Sequence, residues 1–284
     1  MKTMNKQLFL VLFIIFLITS TVYGQMERKR VQTDGPVQDV FWAPTLITQA
    51  STAHLPAGNL NSTIMHSFGV ATQRPLQTFF GIDNVRNVRL GIDYGITNRW
   101  SMGIGRSSLT NIVDLRTKLA ILRQNQSDTQ PISLSIKGDL GIVTQENERS
   151  IKDDVSTLVS AIISRKFNDH LSLQVTPMYG HINSVPAGDP NNFFAVGLGA
   201  HMPLSRRFAV SAEYYPVIGE QAANTKNAFS LGLNIETGGH VFQLFFTSTE
   251  WHLEQYVLAT NREQFWAGDF RFGFNVNRVF SLVK

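Results

Sequence analysis

Val88-Arg-Leu-Gly-Ile-Asp-Tyr-Gly-Ile96 carries an apolar side chain at every even position and Arg89, Gly91, Asp93 and Gly95 at the odd ones. Successive side chains of a strand point to opposite faces, so this period of two predicts a strand with one apolar and one polar face. Thr97-Asn98-Arg99 then spans a hairpin length. The alternation restarts at once, with Trp100, Met102 and Ile104 set against Ser101, Gly103 and Gly105.

Working outward, the same pattern recurs. Val113, Leu115, Leu119 and Ile121 alternate with Asp114, Arg116 and Lys118. Leu134, Ile136, Leu140 and Ile142 alternate with Ser135, Lys137 and Asp139. Further runs start near Leu171, Phe194, Phe208, Phe229 and Phe270, the last with Asp269, Arg271 and Gly273 at the polar positions. Less regular runs lie at 59–68, 156–167 and 241–248; the middle one is apolar on both faces, which leaves its orientation ambiguous. The total is about twelve, and the even number suits a single-chain bacterial barrel. The intervening segments alternate between short (97–99, 125–132, 168–170, 203–207, 237–239) and mostly longer (69–87, 107–111, 145–155, 183–191, 218–227, 249–264). Short periplasmic turns and longer extracellular loops are the habit of outer-membrane barrels, whereas a β-sandwich would alternate without that asymmetry. The expectation is therefore an all-β fold, an antiparallel transmembrane β-barrel of about twelve strands. Trp100, Phe167 and Phe208 at the turn side, and Tyr179, Phe193, Phe194, Tyr214 and Trp266 at the loop side, would supply two interfacial aromatic girdles.

Ahead of the first strand, Lys2 and Lys6 precede the apolar run Leu8–Ile18, and Val22-Tyr23-Gly24 offers short residues at a cleavage site. Residues 1–24 thus read as a signal peptide, because the run is too short to span a bilayer comfortably. Residues 25–58 read as an N-terminal periplasmic or plug segment containing Phe41 and Trp42, and 59–284 as the barrel. Without Lys2 and Lys6 the formal charge falls from +4 to +2, a poor basis for nucleic-acid binding. With no cysteine at all, disulfides, thiol nucleophiles and cysteine-ligated metal sites are excluded.

The segment from Phe41 to Ser107 also carries a resemblance. Leu60-Asn-Ser-Thr-Ile-Met-His66-Ser-Phe68-Gly69, Phe80-Gly81-Ile-Asp83, Arg89-Leu-Gly91-Ile-Asp93-Tyr94-Gly95-Ile-Thr97 and Gly103-Ile-Gly105-Arg106-Ser107 resemble the DUF5777-like family of Bacteroidota β-barrel proteins. The family usually has His-Arg-Phe-Gly where this chain has His66-Ser67-Phe68-Gly69. The resemblance implies an outer-membrane barrel and implies no activity, substrate or catalytic residue.

If the apolar face meets lipid, the polar face lines the lumen. Arg89, Asp93, Asp114, Arg116, Lys118, Lys137, Asp139, Glu213, Asp269 and Arg271 are the candidate lumen residues, either as an internal ion-pair network or as a selectivity surface. Glycines at 91, 95, 103, 105, 197, 199, 232 and 273 share that parity and leave room for close approach. For catalysis, His201 is the one histidine with clear lumen parity. No Gly-x-Ser-x-Gly elbow or His-Glu-x-x-His spacing accompanies it, so no catalytic residue, metal site or cofactor is expected. The functional expectation is a narrow channel for small solutes or a non-catalytic accessory barrel; the alternatives are a partner-binding barrel with a closed lumen and, less favoured, a lipid-modifying barrel enzyme. Its expected surroundings are outer-membrane lipid and lipopolysaccharide, the barrel-assembly machinery during biogenesis, and an unidentified protein partner.

Overall fold

The computed structural model describes residues 34–38 and 40–282. The signal-peptide reading and the stretch 25–33 lie outside the described residues. Strands run in chain order as β1 (Asn59–Val70), β2 (Val85–Gly95), β3 (Trp100–Ser107), β4 (Ile112–Leu122), β5 (Ser133–Val143), β6 (Val155–Asn168), β7 (Leu171–Ile182), β8 (Asn192–Pro203), β9 (Phe208–Tyr215), β10 (Val217–Ile218), β11 (Ala228–Glu236), β12 (His240–Thr247) and β13 (Arg271–Ser281). Each pairs antiparallel with its neighbours, and β1 pairs with both β2 and β13, so the sheet closes on itself. β9 and β10 both pair with β8 and are one stave interrupted at Pro216, giving twelve staves around the ring. Closure leaves no strand edge unpaired, a requirement for strands that cross a bilayer.

The faces decide between membrane barrel and water-soluble sandwich. On β2, Arg89 is 1% exposed while its neighbour Leu90 is 56% exposed. Outside stand Ile92, Met102, Ile104, Leu115, Ile136, Val159, Val175, Leu198, Leu231 and Phe246; inside, buried, stand Ser101, Asp114, Ser135, Gln174, Glu213, Asn234, Gln243 and Asn275. A polar interior inside an apolar exterior is the outer-membrane arrangement. Turn chemistry fits the hairpins: Thr97 Oγ1 accepts from the N–H groups of Arg99 and Trp100 at 3.1 and 3.0 Å, closing the β2–β3 turn.

β6 resolves the ambiguity of its sequence. Leu158 and Ile162 point inward, each almost fully buried, while Val159, Ile163 and Phe167 point to lipid. The inward pair signals that something apolar lies within this part of the barrel. The segment between β12 and β13 supplies it. Its short helix, Glu254–Thr260, folds into the lumen, where Trp251, Leu253, Tyr256, Val257 and Leu258 pack with Leu158, Met178, Phe193, Tyr215 and Ile112. Phe193, expected in the loop-side girdle, therefore faces inward, because the inserted helix offers it an apolar partner; Tyr179, Phe194 and Trp266 remain exposed.

Candidate functional site: a lumen filled from both ends

The charged residues of the wall concentrate on β2–β5. Asp93, Gly103 and Arg116 occupy one row across β2, β3 and β4, and the Arg116 guanidinium reaches over Gly103 to Asp93 with contacts of 2.8 and 3.1 Å. A Cβ on Gly103 would lie 2.0 Å from the Asp93 carboxylate. One step further, Arg89 reaches over Gly105 to Asp114 with contacts of 2.9 and 2.6 Å, and a Cβ on Gly105 would collide with its guanidinium. The glycines of β3 are thus the saddles over which two bidentate pairs join β2 to β4. Such geometry satisfies charges that would otherwise be costly to bury. Lys137 on β5 contacts Asp139 at 2.6 Å and Glu254 of the inserted helix.

The opposite wall, β7–β13, carries mainly amides and hydroxyls, and here the chain before β1 docks. Close to the β4–β5 turn, Val37 donates to the Gln124 carbonyl at 2.8 Å and Pro36 bridges to Asn125. The segment then rises into the barrel, with Phe41, Leu46 and Ile47 buried. It reverses in a tight turn, Leu46 N–H donating to the Gln49 carbonyl at 2.8 Å. At that turn the carboxylate of Glu213, on β9, accepts from the backbone N–H groups of Ile47, Thr48 and Gln49 at 3.3, 3.0 and 2.9 Å. Gln174 donates to the Ala50 carbonyl at 2.8 Å, Asn275 to that of Ile47 at 2.8 Å, and Gln243 to that of Leu46. The Gln49 side chain lies over Gly197, where a Cβ would sit 1.8 Å from its amide nitrogen. On the way back, Lys118 Nζ donates to the carbonyls of Ser51 and Ala53 at 2.8 and 2.6 Å, and His54 Nε2 lies 2.9 Å from Ser135 Oγ. The main chain of this hairpin is thereby held in the lumen by polar wall side chains, while its own Phe41, Leu46 and Ile47 are buried.

The two fillers meet. Glu254 Oε1 accepts from the N–H of Ala50 at 3.2 Å, so four consecutive backbone donors, 47 to 50, are taken by two carboxylates. Between hairpin, helix and charged wall remains a cavity of about 60 Å³, lined among others by Thr48, Arg116, Lys118, Asp139, His252 and Glu254. It has room for a few water molecules. His252, on the inserted segment, is buried, and this loss of hydration draws its pKa down to about 3. The same cause takes His54, on the hairpin, down to about 2.

Of the candidate lumen residues, Arg89, Asp93, Asp114, Arg116, Lys118, Lys137, Asp139, Glu213 and Arg271 all point inward. The first seven gather around the cavity. Glu213 serves the hairpin, and Arg271 pairs with Glu263 near the loop end. Asp269 does not reach the wall. Gly268, with φ of +92°, turns the chain after Phe265–Ala267 and delays β13 until Arg271, leaving Asp269 in the loop beside the Gln264 N–H. His201 is 2.9 Å from Ser211 Oγ, but its ring is walled in by Phe41 and Trp42. Among the described residues no carboxylate hydrogen-bonds that imidazole, so the pair has no orienting acid. Among the described residues no group of three His, Asp or Glu side chains could hold a metal ion. Sequence reading missed Glu254 and the backbone of 47–50. The available signals were the inward apolar parity of Leu158 and Ile162, and the apolar cluster Trp251–Leu258 inside a nominal loop.

Solved structures with a similar fold include KdgM porin, at 8% identity and TM-score 0.49 over 78% of this chain and 99% of that one. The KdgM porin in complex with disordered oligogalacturonate matches at 7% identity and TM-score 0.49, with the same shares covered. A mutant of Rh. blastica porin matches at 14% identity and TM-score 0.35, over 69% of this chain and 56% of that one. No curated protein matches the sequence. The family model for a membrane-bound β-barrel domain, DUF5777, matches residues 41–280, and this chain, with its closed ring of strands and apolar outer face, belongs to that family.

Proposed function

We propose that this chain is a narrow, non-catalytic channel of a bacterial outer membrane, closed at rest by its own N-terminal hairpin. The observation that carries the reading is the Glu213 carboxylate holding three consecutive backbone N–H groups of that hairpin. A permanent filling would be expected to bury apolar side chains against an apolar wall, as the helix Glu254–Thr260 does. The hairpin also buries Phe41, Leu46 and Ile47, but the wall holds its main chain through amides, Lys118 and the Glu213 carboxylate, all of which water can satisfy once it leaves. Polar interfaces of this kind exchange protein for water contacts at small net cost and suit a moving part. The charged strands β2–β5 then line the passage that opens, favouring small polar solutes.

Liposome swelling tests this. Vesicles containing the intact chain should admit a small neutral sugar slowly, and vesicles containing Glu213→Ala should admit it faster. A folded Glu213→Ala barrel no more permeable than protein-free vesicles would overturn the channel reading and leave a closed accessory barrel.

A further inference from the structure

Two segments enter the lumen from opposite ends, and their meeting point is a single carboxylate. Glu254 belongs to the inserted helix on the side of the long loops. One of its oxygens accepts from Ala50 of the hairpin, and the other pairs with Lys137 of the wall, which also holds Asp139. Lys118, beside them on β4, grips the carbonyls that follow Ala50. Glu254 is itself buried, so each contact is made away from bulk water, where a lost partner is not replaced at once.

We infer that Glu254 couples the two fillers, so that loosening the long-loop segment on one side of the membrane loosens the hairpin that enters from the other. The inference rests on the channel reading for its purpose but not for its test. The shared turn explains the direction. Docking the hairpin presents N–H groups 47–50 together, and two carboxylates fixed on different elements take them. If the helix withdraws, Ala50 loses its acceptor, Lys137 loses one of its two counter-ions, and the hairpin is held by Glu213 and the amides alone. If the hairpin leaves, Glu254 loses the N–H that helps keep it in the lumen. Coupling between two binding events is reciprocal, so each displacement must favour the other. The apolar packing of Trp251, Tyr256, Val257 and Leu258 keeps the helix near the wall in either case. The linkage is therefore expected to appear as a change in accessibility rather than as unfolding.

The chain has no cysteine, so single introduced thiols report cleanly. Ala53→Cys marks the hairpin and Ala259→Cys marks the helix; both positions are half-buried. A membrane-impermeant maleimide is applied to the full chain in vesicles from the side each thiol faces, with folding checked by heat-modifiable gel migration. Glu254→Ala should raise labelling of Ala53→Cys roughly tenfold, the scale of one charge-assisted hydrogen bond, with Glu254→Gln falling between it and the parent. Glu213→Ala, which removes the acceptor of three hairpin N–H groups, should raise labelling of Ala259→Cys. Unchanged labelling at either reporter in a folded variant overturns the coupling, even if the barrel conducts. Changed labelling at both supports it, even if the vesicles stay impermeable.

Discussion

Replacing Glu213 by alanine removes the acceptor of three backbone N–H groups at once. The magnitude follows from what those groups face. Ile47, Thr48 and Gln49 are buried, and a buried N–H stripped of its partner costs about 1 kcal/mol when water can reach the vacated space, as the missing carboxylate allows. Three such losses total about 3 kcal/mol. Against this, the docked state no longer carries a dehydrated carboxylate, which returns roughly 1 kcal/mol. The docked hairpin should therefore lose about 2 kcal/mol, a roughly thirtyfold rise in the undocked fraction. Chymotrypsin reads that fraction. Phe41 is buried beside Trp42 in the closed state, and cleavage after either residue requires the hairpin to leave. Where opening is fast relative to cleavage, the rate tracks the open population. Mass spectrometry of the new N-terminus should show cleavage roughly thirtyfold faster in Glu213→Ala, with Glu213→Gln between the two. Equal rates in parent and variant, both folded, would refute the assignment of Glu213 as the clamp.

Other consequences follow from the same geometry. Gly105→Val places a side chain where the Arg89 guanidinium crosses β3 and should separate it from Asp114. Breaking a buried pair costs about 3–5 kcal/mol, measurable as a lower midpoint of urea unfolding in micelles, whereas Gly138→Val on the lipid side should leave the midpoint within about 1 kcal/mol of the parent. Lys118→Met removes the donor to the carbonyls of Ser51 and Ala53 and should speed chymotryptic cleavage roughly tenfold while leaving the barrel folded. Acid should loosen the closed lumen. His252 and His54 have folded-state pKa values pulled down by burial to about 3 and about 2, below the ordinary value near 6.5. The stability they contribute is complete above about pH 6.5 and is lost as pH falls towards those folded values, so ion permeability of vesicles should rise between pH 7 and pH 4.5 and recover on neutralisation.

The barrel was legible in the sequence because a two-residue period is local: Val88–Ile96 shows it without reference to anything else, and β2 follows it. The partners across the lumen were not legible. Arg116 and Asp93 lie on different strands, and only the register across Gly103 brings them together. β6 is ambiguous in sequence for a physical reason. Leu158 is inward and apolar because an inserted helix covers it, Ile162 shares that inward face, and a period-two reading assumes that the lumen holds water. Asp269 reads as a wall residue because its parity continues that of Arg271, yet the left-handed turn at Gly268 intervenes. Glu254 sat in a segment that reads as an ordinary long loop, and its role depends on Ala50, some two hundred residues earlier in the chain.

In the proposed channel the hairpin, and not the barrel wall, closes the passage. Single-channel recording in planar bilayers tests it most directly, comparing the intact chain with Glu213→Ala. The intact chain should be quiet with rare brief openings, and the variant should show the same unit conductance with much longer open times, because the wall of β2–β5 that bounds the pore is unchanged. A steady conductance in the intact chain, equal in size and open time to that of the variant, would contradict it.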